Sequence, residues 1–264
     1  MKLITINKKR YNFPECWNEL TEKQLLSVMD ILFLKGFKAE HILLQLVKEL
    51  AGMTQYQFLK ADVYELEEYF YLCAFVLQSN EGFTKNVLPS YTFEGDVFYG
   101  PEDELMNLRM KEFTFTEGYY AKWFDSDQQD MEALNDLIGI LYRPATKGYD
   151  LEKNPDGDRR SPYVENVSSW FAKTIIARWP MNVKIAIAHW YDGCRRHIVE
   201  MNPDVFGGSG EAVENPLVDM MLEIAETHAF GDFHAVAEQH VNLVMMNLNR
   251  IVRRNQKIEA QTKS

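Results

Sequence analysis

A row of polar residues in a predicted long helix offers the strongest candidate for chemistry. His189, Asp192 and Arg196 follow one another at steps of three and four residues, and Glu200 continues the row. Side chains at this spacing share one face of a helix. Such a row could be part of an enzyme site completed by distant residues, although its reaction is left open. A salt-bridged helix face in solvent gives the same pattern and is the favoured interpretation.

The histidines predict no metal site. His228, His234 and His240 are six residues apart, and each step rotates about 240° on a helix, so the three cannot face one ion. His234 and Glu238 do share a face, where a solvated pair is favoured over two ligands. The glycine run 207–210 has neither a preceding strand nor the Lys-Ser or Lys-Thr of a phosphate loop. We therefore predict no cofactor and favour a noncatalytic role.

The formal charge of the chain is −11 and is unevenly distributed. Residues 1–143 contain 14 Lys and Arg against 23 Asp and Glu, giving −9, and the remaining residues contribute −2. An acidic surface repels phosphate, so nucleic acid is disfavoured as a partner. Basic residues near the end of the chain keep a nucleic-acid-associated protein open as an alternative, although they would also suit the negative end of a helix dipole. They are Arg250, Arg253, Arg254 and Lys257.

The cysteines and apolar runs indicate the cellular setting. Cys16, Cys73 and Cys194 are an odd number of widely spaced thiols, which is typical of free cysteines in a reducing compartment. The amino terminus has only a five-residue apolar run before a basic cluster, which is too short for a signal peptide. No apolar run approaches the length needed to span a bilayer. We expect a soluble, intracellular protein with no membrane partner.

The chain is organised around a helix that ends sharply near its middle. Pro144 ends this helix because proline lacks an amide hydrogen and disfavours helical conformation in the residue before it. The residues over 144–163 have almost no large apolar side chain and predict a linker. We expect a mainly α fold of two helical halves. They are an N-terminal helical domain over 1–143 with small β elements and a C-terminal helical domain over 164–258, followed by a tail over 259–264.

Alternating apolar residues predict two hairpins. The first pairs Lys2–Ile6 with Tyr11–Phe13, and the second pairs residues 88–93 with 97–99. The two hairpins could form one small sheet beside the helices. The longest apolar stripe in the chain predicts a single helix over 232–257.

Capping residues predict where several N-terminal helices begin. Thr21 and Gln24 match a capping box, and Thr54 and Asp62 are also favoured helix caps. We expect the helix that follows Asp62 to run through about Gln78.

Three segments resemble proteins of phage tail-gene modules. They are EGYYAKWF with MEALNDLIGILYRP, then GDRRSPY, and then MLEIAETHAFGDFHAVAEQHVNLVMMNLN. Together they are similar to small helical proteins encoded by phages and prophages of gut Bacteroidetes-type bacteria, and the last segment most resembles tail-assembly chaperones and tail-associated proteins. The resemblance covers about half the chain, over 117–144 and 215–257, and carries no catalytic residue. It implies phage structural or tail proteins as partners, in the bacterial host cytoplasm or in the virion.

The final helix is the predicted partner-binding element. A long amphipathic helix can dock into a groove of another protein, and methionine suits an adaptable contact surface. Ordinary core packing is the alternative for the methionines, and a homo-oligomer is also left open. The residues predicted to bind a partner are Met245, Met246, Arg250, Arg253 and Arg254.

Overall fold

The computed structural model describes residues 1–33, 37–78, 82–150, 152, 157–206 and 216–262. The chain forms two compact units: unit 1 contains Met1–Leu88 and Trp179–Cys194, and unit 2 contains Pro89–Arg178 and Arg195–Ser264. These units are divided differently from the two predicted halves, because each is built from two separate stretches of chain. The mainly α fold class is confirmed. The glycine run 207–210 falls outside the described residues.

Unit 1 begins with the predicted hairpin. Strand β1, Lys2–Ile6, pairs antiparallel with β2, Lys9–Phe13. Asn7 and Lys8 form the turn with φ of 50° and 63°, the left-handed conformations that a two-residue hairpin turn of type I′ requires. Alternate residues of the two strands are buried and form an apolar face: Ile4, Ile6, Tyr11 and Phe13.

Two of the first three helices of unit 1 begin at predicted caps. Helix α1 spans Glu22–Leu32, and α2 spans Ala39–Leu50. Helix α3 is Gln55–Lys60, and capping boxes precede α1 at Thr21 and α3 at Thr54. In each box the threonine hydroxyl accepts a backbone N–H of the first turn, and a glutamine side chain accepts the threonine N–H.

The predicted helix over 62–78 is broken into three pieces. Helix α4 is Val63–Glu67, a 3₁₀ turn covers Phe70–Cys73, and α5 is Ala74–Gln78. The break lies in a run of aromatic residues, which have weak helix propensity. The Tyr69 hydroxyl donates to the Thr5 carbonyl at 2.8 Å. This bond to β1 holds the aromatic segment in a different path from a continuous helix.

The core of unit 1 is built around Trp17. Its ring stacks on Phe83 with centroids 5.1 Å apart, and its indole N–H donates to the Phe75 carbonyl at 3.0 Å. Helix α9, Met181–Met201, supplies Trp190, whose indole N–H donates to the Thr84 carbonyl at 3.0 Å. The two tryptophans therefore fill the core while their polar atoms are satisfied.

The cysteines differ in burial, and this gives a testable difference in reactivity. Cys16 is half-buried, whereas Cys73 and Cys194 are buried, and burial raises the pKa of the Cys73 thiol to about 12. Because the thiolate is the reactive form, we expect Cys16 to react with a disulfide reagent in the folded protein and the other two only after unfolding. Thiol titration with peptide mass mapping measures this order. Labelling of Cys73 at the same rate as Cys16 in the folded protein would contradict it.

Unit 2 contains a second, separate sheet. Strands β3, Ser90–Phe93, and β4, Asp96–Tyr99, form the predicted second hairpin. Strand β5, Arg143–Pro144, pairs antiparallel with β4. The expectation that both hairpins share one sheet is wrong, because β4 pairs with β5 and β1–β2 form a two-stranded sheet of their own.

Three helices form the centre of unit 2. They are α6, Met110–Asp125, α7, Met131–Leu141, and α8, Glu165–Thr174. Helix α7 ends before Pro144, as predicted, and packs against both of its neighbours. At Gly139 an added Cβ would lie 2.8 Å from the Ser168 carbonyl oxygen, so a glycine permits the close approach of α7 and α8.

The C-terminal part of unit 2 contains four more described helices: α10, Pro203–Phe206, α11, Pro216–Glu226, α12, Phe233–Ala237, and α13, Val241–Thr262. The prediction of one helix over 232–257 is wrong, because the chain breaks between α12 and α13. There the Met110 N–H donates to the Gln239 carbonyl at 2.8 Å and the Val241 N–H donates to the Leu108 carbonyl at 3.0 Å. These backbone bonds replace the helical ones. No helix in the described ranges is both long enough and apolar enough to cross a membrane.

Candidate partner-binding surface

Helix α13 has one buried face and one exposed face. Its buried residues are Val241, Val244, Met245 and Leu248. Met245 is only 1 % exposed, so it lies in the core and is not available to a partner as predicted. Met246, the next residue, is 63 % exposed on the opposite side. The methionine pair is therefore divided between core packing and the surface.

A groove of about 1040 Å³ follows the exposed side of α13, and we call it the α13 groove. Leu243 and Met246 in the first half of α13 and Phe230 in the segment after α11 form an apolar end, and further along α13 the basic side chains are interspersed with Ile251 and Ile258. The lining includes apolar, amide and basic side chains: Thr227, Ala229, Phe230, Leu243, Met246, Asn247, Asn249, Arg250, Ile251, Arg253, Arg254, Lys257 and Ile258. The predicted residues Met246, Arg250, Arg253 and Arg254 thus line one surface.

A tight turn after α11 places the apolar wall of the groove. His228 has a φ of 55°, and its N–H donates to the Ala225 carbonyl at 3.0 Å. A left-handed residue at this position ends a helix and reverses the chain. The Thr227 hydroxyl donates to the Ile224 carbonyl at 2.7 Å and accepts the Ala229 N–H at 3.3 Å. The turn therefore fixes the start of the segment that carries Phe230 to the groove.

The basic part of the groove concentrates positive charge on one side of a helix. Arg250, Arg253, Arg254 and Lys257 are exposed and include four pairs at i, i+3 or i, i+4 spacing. Each like-charged pair at this spacing costs a helix about 0.2–0.5 kcal/mol. Arg253 pairs with Asp204 of α10 at 2.7 Å. Arg250 and Arg254 form no ion pair with any described residue.

The helix dipole does not account for these cations. Helix α13 ends at Thr262, which places Arg250 twelve residues and Arg254 eight residues before its end. The dipole effect decays within the last turn, so it does not reach either residue. The repulsion between Arg250 and Arg254 is therefore not offset by the helix dipole.

The residues of the candidate enzyme row are assigned to different compact units. His189 and Asp192 belong to unit 1, whereas Arg196 belongs to unit 2. Asp192 is buried, and the His189 ring lies 6.2 Å from the Trp17 ring, inside the core of unit 1. In the part of the chain that the structure describes, no three His, Cys, Asp or Glu side chains gather as a metal site.

A buried ion cluster in unit 2 was not predicted from the sequence. Glu112 of α6 accepts hydrogen bonds from Arg143 at 2.7 Å and Arg160 at 3.2 Å, and Arg160 also pairs with Asp158 at 2.8 Å. Both arginines and Glu112 are nearly inaccessible to solvent. The cluster borders a cavity of about 340 Å³. Asp158 and Arg160 lie in a polar segment whose opposite charges largely cancel, so nothing in the sequence indicated that these side chains are buried.

The arginines of this cluster are largely occupied by protein atoms. Arg143 Nε donates to the Ser161 carbonyl at 2.7 Å, and Arg160 donates to the carbonyls of Leu141 and Asn107 at 3.3 and 3.1 Å. The cluster thus attaches the segment predicted as a linker to α6 and to the end of α7. We interpret it as structural.

The pKa of Asp158 reflects this environment. Burial raises the pKa of the carboxyl, but the hydrogen bonds and charge of Arg160 outweigh burial, so its pKa lies below the usual 3.8. An aspartate whose pKa is lowered on folding stabilises the folded protein at pH values above its ordinary pKa. That stabilisation is lost as the pH falls through the lowered pKa. The cluster therefore weakens in acid.

Unit 2 therefore contains a buried ionic cluster and an open groove with basic and apolar side chains. Comparison of the chain with protein-family models, curated proteins and solved structures found no match.

Proposed function

We propose that this chain is a noncatalytic phage assembly or virion-associated protein, acting in tail assembly, that binds another protein through the α13 groove. The observation that carries the binding role is the groove itself, where Met246 is 63 % exposed beside Leu243 and Phe230. Clustered exposed apolar side chains typically mark an interaction site. The phage setting is supported by the resemblance of residues 117–144 and 215–257 to tail-module proteins.

The geometry of the groove suits a protein segment. Helix α13 is held by its buried face, so its exposed face is presented on a rigid support. An amphipathic helix can lie along such a face and bury its apolar residues there. A protein that carries such a helix, in the host cytoplasm or in the virion, could therefore bind there.

A capture experiment with matched variants tests the proposal. The tagged chain is expressed in cells producing the phage that encodes it, and the captured proteins are identified by mass spectrometry. We expect phage structural or tail proteins with the unaltered chain and a loss of at least about tenfold with Met246→Glu, since a charge would be buried against apolar atoms. Leu59→Glu is the control, because Leu59 is 73 % exposed in unit 1. Recovery of host proteins alone, or equal capture by both variants, would overturn the proposal.

A further inference from the structure

The α13 groove also carries information about the chemistry of its occupant. Its lining contains four cationic side chains and no carboxylate among the described residues. The chain as a whole has a charge of −11, so this local excess of positive charge runs against its composition. Among the residues that the structure describes, Asp204 pairs with Arg253 and no carboxylate pairs with Arg250, Arg254 or Lys257, so these three are available to an external anion.

From this we infer that the occupant is an acidic amphipathic helix of another protein, with apolar residues at one end and carboxylates at the other. The inference rests on the proposed function and names the partner's chemistry. The apolar end would lie against Phe230 and Met246, and the acidic end against the cations from Arg250 to Lys257. Along α13, eleven residues separate Met246 from Lys257, or about 16 Å at the rise of a helix. A partner helix of three to four turns covers that distance.

The apolar half of the groove distinguishes this occupant from a nucleic acid. A phosphate backbone would match the four cations, but the exposed apolar side chains that α13 places beside them, Leu243 and Met246, are aliphatic and offer no aromatic ring on which a base would stack. A helix with two kinds of side chain matches both halves at once. Apolar burial contributes most of the affinity, and charge attraction at an exposed groove adds a smaller share while it sets the orientation and the rate of association. The order of groups along α13 would fix the direction of the bound helix.

Synthetic peptides test the inference with the full chain. Two helical peptides of about sixteen residues share an apolar first half, and the second half carries Glu in one and Gln in the other. Fluorescence anisotropy measures binding at low and high salt. We expect the Glu peptide to bind at least about tenfold more tightly than the Gln peptide, with the difference shrinking in high salt. Equal binding of the two peptides would overturn the acidic occupant while leaving the proposed function standing.

Charge variants locate the effect on the chain. Arg250→Glu with Arg254→Glu should abolish the preference for the Glu peptide, whereas Lys23→Glu with Lys147→Glu makes the same change in net charge at exposed sites outside the groove and should preserve it. A single-stranded oligonucleotide of matching charge is the third probe. If it binds as tightly as the Glu peptide and Met246→Glu leaves its affinity unchanged, the occupant is a nucleic acid and the inference is wrong. Failure of the Glu peptide to bind at all also overturns it, while capture of phage proteins through Met246 would still support the proposed function.

Discussion

Glu112→Gln is expected to lower the free energy of unfolding by about 3–5 kcal/mol, the typical cost of removing one partner from a buried ion pair. The substitution keeps the shape of the side chain but removes the charge that two arginines share. Arg143 is 3 % exposed and would remain buried without its carboxylate partner. Thermal and urea unfolding of the two proteins at neutral pH measures the difference.

Glu117→Gln is the matched control for this prediction. Glu117 lies on the same helix, α6, and pairs with Arg195 at 2.7 Å, but that arginine is 36 % exposed. Pairs that solvent reaches contribute about 0–1 kcal/mol, so this variant should unfold close to the unaltered protein. If both variants lose the same stability, burial is not what makes the Glu112 cluster important.

Gly193→Ala is expected to destabilise unit 1 by about 1–3 kcal/mol, the usual cost of inserting a carbon into a packed core. An added Cβ would lie 2.3 Å from the Phe83 carbonyl oxygen and 3.0 Å from its carbonyl carbon. Phe83 is fully buried against Trp17, so it cannot move away without opening the core. The change is read from urea unfolding followed by tryptophan fluorescence.

Gly118→Ala makes the same substitution inside another helix and should have the opposite sign. Gly118 lies within α6, and nothing lies within 4 Å of the added carbon. Alanine in a helix interior is favoured over glycine by about 0.5–1 kcal/mol, so we expect a rise in stability. A loss at Gly118 equal to that at Gly193 would show that the clash with Phe83 is not the cause.

The sequence predicted local structure well because its signals are local. The Thr21 and Thr54 caps and the stop before Pro144 depend on residues within one or two turns, and all three lie where they were expected. The breaks were missed because they depend on distant partners. Tyr69 bonds to Thr5, and Gln239 bonds to Met110, across 64 and 129 residues. No pattern within a window of sequence carries that information.

The candidate site was predicted only in part, because some of it also depends on contacts between distant residues. The amphipathic pattern placed Met246 and the arginines on α13, but it did not separate Met245 from Met246. Burial of one and exposure of the other follow from how α13 packs on its neighbours. The segment that brings Phe230 to the groove depends on the turn at His228, which has no strong sequence signal because histidine only sometimes adopts a positive φ.

The two main-chain bonds that interrupt the last helical region have an evolutionary consequence. They join the residues on either side of Arg109 to Gln239 and Val241 without using side chains, so they fix where α13 begins whatever residues stand there. Substitutions on the exposed face of α13 can then accumulate without moving the start of the helix. Related proteins could in this way exchange one binding preference for another on an unchanged scaffold.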